Sequence, residues 1–183
     1  MAIAALGALA FGVAMSVLKG NNGGDVRNAI GNLSAPWLLL PFIAGAAAGE
    51  RRVARAALVG VLVSLVALAG FYLANTFVLG LGPHSWLQDV RLTFAGGRYF
   101  QLALLSGPVF GALGGLWQRS ASTLLGVLVA ALLALEPFVW LGYERAGHAI
   151  YTSDSAVWAV EVAVGVGAAA LAATVARPRR APA

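Results

Sequence analysis

The chain of 183 residues contains no cysteine, and charged residues make up 10% of it. The absence of cysteine excludes disulfide bonds, iron–sulfur clusters and zinc sites with cysteine ligands. The scarcity of charge, together with 60% hydrophobic residues and a mean hydropathy of +0.84, is typical of a polytopic membrane protein rather than of a soluble domain. We therefore expect one integral membrane domain that covers residues 1–183, with the lipid bilayer as its main partner.

Residues that carry enzyme chemistry are also scarce. The two histidines, His84 and His148, fall in predicted external loops and are too few for a metal cluster. No phosphate-binding glycine loop is present, and Ser106-Gly107 lacks the preceding glycine of a nucleophile elbow. The net charge of +5 comes from basic residues scattered at helix ends, which argues against a nucleic-acid surface. The sequence thus predicts no enzyme, no cofactor, no metal and no nucleic-acid partner.

The apolar residues form six segments that are suited to crossing a membrane. About 20 helical residues cross the hydrocarbon core, and isolated spans must be helical because lipid cannot bond to free backbone groups. The second segment is the shortest and contains Pro41, so a tilt or kink is expected there. We predict an all-α fold, a single bundle of six transmembrane helices at residues 2–18, 35–49, 54–79, 99–117, 123–141 and 156–176. The first segment lacks the basic start of a secretory signal, so we expect it to stay in the mature protein.

The placement of arginine and lysine predicts the orientation in the membrane. The short turn between the second and third segments contains Arg51, Arg52 and Arg55, and positive turns face the cytoplasm. Both chain ends are then cytoplasmic, and the longer loops at residues 19–34, 80–98 and 142–155 are external. Eleven arginines against one lysine suggest a GC-rich bacterial genome, so we expect a multi-pass protein of a bacterial plasma membrane.

An internal repeat relates the second and third segments to the fourth and fifth. Residues 38–63 align without gaps on residues 104–129 in the same orientation, as in the parallel repeats of some transporters, although chance similarity is the alternative. Glycines four residues apart in each copy form a flat helix face that another backbone can approach. We expect four glycines to pack helices inside the bundle or, alternatively, to form a homo- or hetero-oligomer interface: Gly45, Gly49, Gly111 and Gly115.

Two glutamates, Glu136 and Glu161, lie inside the fifth and sixth segments. An ionisable side chain there costs about 2.5 kcal/mol or more, so it usually has a role. Both carboxyls are expected about 10 Å below the outer surface. If they face each other, one of them should keep its proton to unusually high pH, because two adjacent anions repel each other in a low dielectric. Three interpretations remain open: a structural pair, hydrogen-bonded across helices or paired with Arg98 or Arg145; a solute or ion site; and a proton relay.

Polar and aromatic residues accompany the glutamates at the same predicted depth. Trp140 follows Glu136 by four residues and Trp158 precedes Glu161 by three, so each indole shares a helix face with its carboxylate. Asn75 of the third segment falls in the same layer. Carboxylates beneath indole rings favour a small cationic solute, whereas an aromatic belt at the membrane interface is the simpler interpretation.

The run Gly107-Pro108-Val109-Phe110-Gly111-Ala112-Leu113-Gly114-Gly115-Leu116-Trp117, together with Glu136 and Trp158-x-x-Glu161, resembles a family of small six-span actinobacterial membrane proteins. That family is catalogued as a domain of unknown function, so the resemblance implies a fold and no activity. The length and the six spans are also similar to those of the substrate-binding subunits of energy-coupling-factor vitamin transporters. Ala10-x-x-x-Ala14 in the first segment resembles the coupling motif of those subunits.

These observations predict a permease-like or solute-binding membrane protein. Its site would lie in the outer half of the bundle, with Glu136 and Glu161 as ligands of a cation or proton and with Asn75, Trp140 and Trp158 lining it. The alternative is a structural or assembly subunit whose glycine-rich helices pack against a partner, and a further alternative is a vitamin-binding transporter subunit. A solute site requires an internal cavity, whereas a scaffold requires a filled core and an exposed patch of small residues.

Overall fold

A computed structural model describes residues 2–20, 26–48, 52–80, 99–120, 122–147 and 154–175. Several residues named above lie outside these described ranges: Gly49, Arg51, His84, Arg98 and His148.

Most of the described residues are helical. The helices are α1 Ala2–Lys19, α2 Val26–Gly31, α3 Ala35–Ala47, α4 Val53–Phe77, α5 Tyr99–Ser120, α6 Thr123–Arg145 and α7 Ser155–Val175. Six segments are long and apolar enough to cross a membrane, with α2 and α3 together forming the second of them. For the described residues, the prediction of an all-α fold with six segments long and apolar enough to span a membrane is confirmed.

The second span differs from the prediction, because it begins earlier and is broken. Residues 19–34 were predicted to be an external loop, but Val26–Gly31 is helical, and the apolar segment runs from Val26 to Ala47 with a break at residues 32–34. Pro36 stands in the first turn of α3. A proline there has no N–H to donate to the carbonyl of Asn32, and its ring would clash with that carbonyl in a continuous helix. The chain therefore leaves the helix and starts again at Ala35.

The centre of the bundle is α4, which packs against α1, α3 and α5, while α3 also packs along α5. A buried cluster of small and branched side chains from α1 and α4 forms the core: Ala8, Val59, Val63 and Ala67. Helices α6 and α7 pack mainly on each other as a hairpin, which meets the remaining helices through α3, α5 and α2. The bundle therefore consists of a packed group of α1, α3, α4 and α5 and a flanking hairpin.

Glycines lie where helix backbones approach most closely. A β-carbon at Gly45 would overlap the backbone of Gly111, which joins α3 to α5, and one at Gly115 would come within 2.6 Å of the Ala56 β-carbon on α4. A β-carbon at Gly12 would overlap the carbonyl of Ala67, which joins α1 to α4. Helices in lipid associate by such close packing because apolar burial between them gains little.

We predict that Gly12→Val destabilises the bundle, because its β-carbon has no room against the backbone of α4. The loss should reach the upper end of the range of about 1–3 kcal/mol that overpacking costs. The measurement is the thermal unfolding midpoint of the detergent-solubilised protein. Gly7→Val is the matched control, since a β-carbon at Gly7 on the same helix meets no atom within 4 Å. Equal midpoints for the two variants would contradict the prediction.

Candidate functional site

The break between α2 and α3 leaves backbone N–H groups at the start of α3 without helical partners. The N–H groups of Ser34 and Ala35 donate to the two carboxylate oxygens of Glu136, at 2.6 Å each. Pro36 has no N–H, and the N–H groups of Trp37 and Leu38 donate to the Ser34 carbonyl at 3.0 and 3.2 Å. Every donor in the first turn of α3 is therefore satisfied, as a helix end inside a bilayer requires.

Glu136 receives a third hydrogen bond from within its own helix. The Trp140 indole Nε1–H donates to Oε1 at 3.1 Å, so Oε1 accepts from Ser34 and Trp140 while Oε2 accepts from Ala35. All three of these partners are N–H donors, which suit a carboxylate as the acceptor. The start of α3 also carries the positive end of its helix dipole, which stabilises a negative charge. Glu136 thus attaches the α6–α7 hairpin to the broken span.

Glu161 of α7 lies against Glu136 and is 6% exposed. Neither of its oxygens has an N–H or O–H partner among the described residues, although the two carboxyls are within hydrogen-bonding reach of each other. Two carboxylates are both acceptors, so a hydrogen bond joins them only when one carries a proton. Of the roughly four acceptor positions of a carboxylate, Glu136 uses three for N–H donors, which leaves about one for Glu161. The pair therefore has room for one bridging proton.

The two predicted site tryptophans lie beside the glutamates in different ways. Trp140 offers its N–H edge rather than its ring face to Glu136, and it packs edge-on against Tyr143 with ring centroids 6.0 Å apart. Trp158 is buried one helical turn before Glu161, and its indole nitrogen has no partner among the described residues. The geometry at Trp140 is therefore that of a hydrogen bond and not of a cation–π cage.

Asn75 takes part in a different contact. The Ser16 hydroxyl, which is fully buried, donates to the Asn75 Oδ1 at 2.7 Å and so connects α1 to α4. The structure thus brings Glu136, Glu161 and Trp140 together, with Trp158 next to them on α7, and places Asn75 at the α1–α4 contact.

Sequence reasoning missed a cavity on the other side of the broken span. It has a volume of about 330 Å³ and lies between the end of α1, the break, α4 and the start of α5. Ser34 lines this cavity while its N–H is bonded to Glu136. Pro36, two residues after Ser34, was the sequence signal for the helix start beside the cavity, because proline is common in the first turn of a helix. The cavity itself had no such signal, because its wall comes from four separate parts of the chain.

No group of three or more histidine, aspartate or glutamate side chains within the described ranges could hold a metal ion. Arg145, one of the two predicted ion-pair partners, is exposed at the end of α6, and the other, Arg98, lies outside the described residues.

Comparison with protein-family models, with curated proteins and with solved structures finds no match to this chain. The resemblance to an actinobacterial family therefore stays a prediction. What the structure supports directly is a polytopic integral membrane protein with a buried carboxyl pair at a broken span.

We predict that Glu136→Ala is the more damaging of the two single glutamate substitutions. It leaves the N–H groups of Ser34 and Ala35 and the Trp140 indole without an acceptor. The loss is about 1–3 kcal/mol for the buried donor of Ala35 and less for the two part-buried donors. Glu161→Gln removes no N–H bond and should fold and accumulate in the membrane. The measurement is the amount of monodisperse protein and its unfolding midpoint.

Glu144→Ala is the control for this comparison, since Glu144 is exposed near the end of the same helix. A midpoint for Glu136→Ala equal to that of Glu144→Ala would show that the contact with α3 contributes nothing to stability. Failure of Glu161→Gln to accumulate would instead indicate that Glu161 is needed as a structural ion.

Proposed function

We propose that this protein is a permease-like, solute-binding membrane protein in which Glu136 and Glu161 form a proton site. The observation that carries the proposal is the pair of buried carboxyls at the break of the second span, with one acceptor position left between them. Ionisable groups inside a membrane bundle mark ion and proton pathways. Binding, and not catalysis, is the proposed role.

A broken membrane helix at a buried charge supports this function. In transporters, discontinuous helices place the N-terminus of a half-helix against an anionic group near the middle of the membrane. Here the N-terminus of α3 holds the Glu136 carboxylate, and the cavity lies on the opposite side of the same break. Movement of the break would therefore change the proton site and the cavity together.

A proton fits the pair better than a metal cation does. A cation such as Na⁺ needs several oxygen ligands that point toward it, whereas Glu136 has N–H donors on both oxygens. One further hydrogen bond from a protonated Glu161 completes the acceptor positions of Glu136 without adding a ligand. We therefore assign a proton, rather than the cationic solute that the indoles suggested, to this site.

The orientation and the internal repeat belong to the same proposal. The break, the glutamates and the end of α1 would face the outer half of a bacterial plasma membrane, with the basic turn before α4 on the cytoplasmic side. The aligned segments, residues 38–63 and 104–129, would be parallel repeats. Their equivalent glycines, Gly45 and Gly111, lie against each other in the bundle.

A second candidate function is that of a subunit in a larger membrane complex, including a vitamin-binding transporter subunit. Its support is an exposed stripe of small residues on α1, where Ala10 and Ala14 are exposed and a β-carbon at Gly7 would meet no atom. Another helix could approach such a face closely. Three of the glycines that the sequence suggested for a partner contact instead pack against other helices of the same chain: Gly45, Gly111 and Gly115.

Infrared spectroscopy tests the proton site. We predict a band of a protonated carboxyl at neutral pH that shifts in D₂O and is lost in Glu161→Gln. The physical reason is that the contact between Glu161 and Glu136 needs one proton to be attractive. Glu144→Gln, which changes an exposed carboxylate on α6, should leave the band unchanged. A spectrum of Glu161→Gln identical to that of the unchanged protein would reject the proton site.

Native mass spectrometry of the gently solubilised protein separates the two candidate functions. We expect a small-molecule adduct that Glu161→Gln weakens or releases, because the break connects the pair to the cavity. The adduct mass would identify the solute. A larger mass from a copurified protein, present in equal amount in Glu136→Gln and Glu161→Gln, would favour the subunit interpretation instead.

A further inference from the structure

Buried polar atoms without a partner are concentrated on α7. Among the described residues, the Trp158 indole nitrogen and both Glu161 carboxyl oxygens are buried without an N–H or O–H partner. The two side chains are 9% and 6% exposed. Polar groups inside a native protein are normally hydrogen-bonded, so each unbonded one needs an explanation. Here a donor and an acceptor are unbonded one helical turn apart.

Both side chains lie on the face of α7 that packs against α6. Trp158 precedes Glu161 by three residues, which places the two on one side of the helix. Gly165 continues this face, and a β-carbon there would come within 2.6 Å of the Ala134 backbone nitrogen on α6. The indole and the carboxyl therefore share the contact between the two helices of the hairpin.

The direction of the glutamate side chain brings it toward the tryptophan. Side chains of an α-helix lean toward its N-terminus, over the preceding turn. For Glu161 the preceding turn is the one that contains Trp158. An indole N–H is a donor only, and an ionised carboxylate is an acceptor only, so the two groups are complementary.

The neighbouring helix shows such a bond already formed. The Trp140 indole donates to the Glu136 carboxylate at 3.1 Å across four residues of α6. Each helix of the hairpin thus carries a glutamate with an indole one turn away, and the bond is made on α6 and unmade on α7. In this structure Glu161 instead lies against Glu136, a contact that needs a proton to be attractive.

We propose that Trp158 is a positioning residue of the proton site: when the proton leaves the glutamate pair, the Glu161 carboxylate turns from Glu136 to the Trp158 indole N–H, which holds the charge until a proton returns. In this step the O–H bond of Glu161 breaks, its electron pair stays on the carboxylate, and the proton passes to water. Repulsion between two adjacent anions drives the turn. The assignment rests on the proposed proton site and deepens it by naming the group that receives the ionised form.

The charges around α7 are consistent with this step. Helix α7 packs against α6 and α2. On α6, Glu136 faces Glu161, and three further ionisable groups are exposed near the C-terminal end of that helix: Tyr143, Glu144 and Arg145. On α2, Arg27 is exposed and donates to the Val17 carbonyl at 3.2 Å. Asp154, just before α7, accepts from backbone N–H groups in the first turn of that helix. The ionisable group that meets Glu161 at close range, among the described residues, is therefore Glu136.

Nuclear magnetic resonance of the indole N–H groups tests the assignment on the full-length protein in detergent micelles. Tryptophan labelled with ¹⁵N gives one indole signal for each of the five tryptophans, and Trp158→Phe identifies the Trp158 signal by its loss. We expect that signal to move downfield as the pH rises, with the same midpoint as the loss of the Glu161 infrared band, because a new acceptor deshields the N–H. Glu161→Met should abolish the movement.

Glu144→Gln is the matched control for this titration, because it removes an exposed carboxylate from α6 and should leave the movement unchanged. A Trp158 signal that stays in place, or that moves equally in Glu161→Met, would overturn the assignment. If Trp158→Phe does not fold, phenylalanine variants of the other four tryptophans identify the Trp158 signal by elimination.

The Trp158→Phe variant also tests the effect on the proton. It keeps an aromatic ring and loses the N–H, so it should hold the Glu161 infrared band up to a pH about one unit higher, a tenfold change in proton affinity. Trp117→Phe is the control, since Trp117 of α5 packs against Phe42 with ring centroids 5.8 Å apart. Equal pH ranges of the band in the two variants would contradict the assignment.

The outcomes separate this assignment from the proposed function. An infrared band that is lost in Glu161→Gln, beside a Trp158 signal that never moves with pH, would overturn the role of Trp158 and leave the proton site standing. A Trp158 signal that is downfield at every pH and returns in Glu161→Met, without the band, would support the contact and reject the proton site. No band and no effect of Glu161→Met would overturn both.

Discussion

The structure depends on the contact between the Glu136 carboxylate and the first backbone N–H groups of α3. Lipid offers no hydrogen bonds, so a helix can start inside the membrane only where protein groups accept from its free donors. Glu136 accepts from Ser34 and Ala35 at 2.6 Å each, and Pro36 removes the next donor. One side chain from α6 thereby makes the broken second span possible and joins the α6–α7 hairpin to the packed helices.

Close backbone packing holds those helices together and leaves room for the cavity. Gly12 brings α1 against α4, and Gly45 and Gly111 bring α3 against α5, so the helices meet tightly over their middle lengths. Toward the end of α1 the side chains become large, with Trp37, Phe71 and Tyr72 keeping the helices apart. Small residues at the crossing points and aromatic residues at one end therefore produce both the tight bundle and its opening.

The break lies between the glutamate pair and the cavity. On one side Glu136 and Glu161 lie against each other, and on the other side the rings of Trp37, Phe71 and Tyr72 line the cavity. Both sites use Ser34, so a shift of the break changes the hydrogen bond to Glu136 and the shape of the cavity at once.

The sequence by itself determined that there are six apolar spans and the approximate limits of all but the second, because apolar runs of about 20 residues have few alternatives to a membrane helix. It also singled out Glu136, Glu161 and Trp140, since ionisable groups inside such runs are costly and therefore conspicuous. Only the tertiary structure decided what these residues contact. Two of the three N–H donors to Glu136 are backbone groups about a hundred residues away. Asn75 accepts a hydrogen bond from Ser16, and the cavity wall combines four distant segments. Helical periodicity shows which residues share a face, but the choice of facing helix comes from packing between segments that local sequence does not encode.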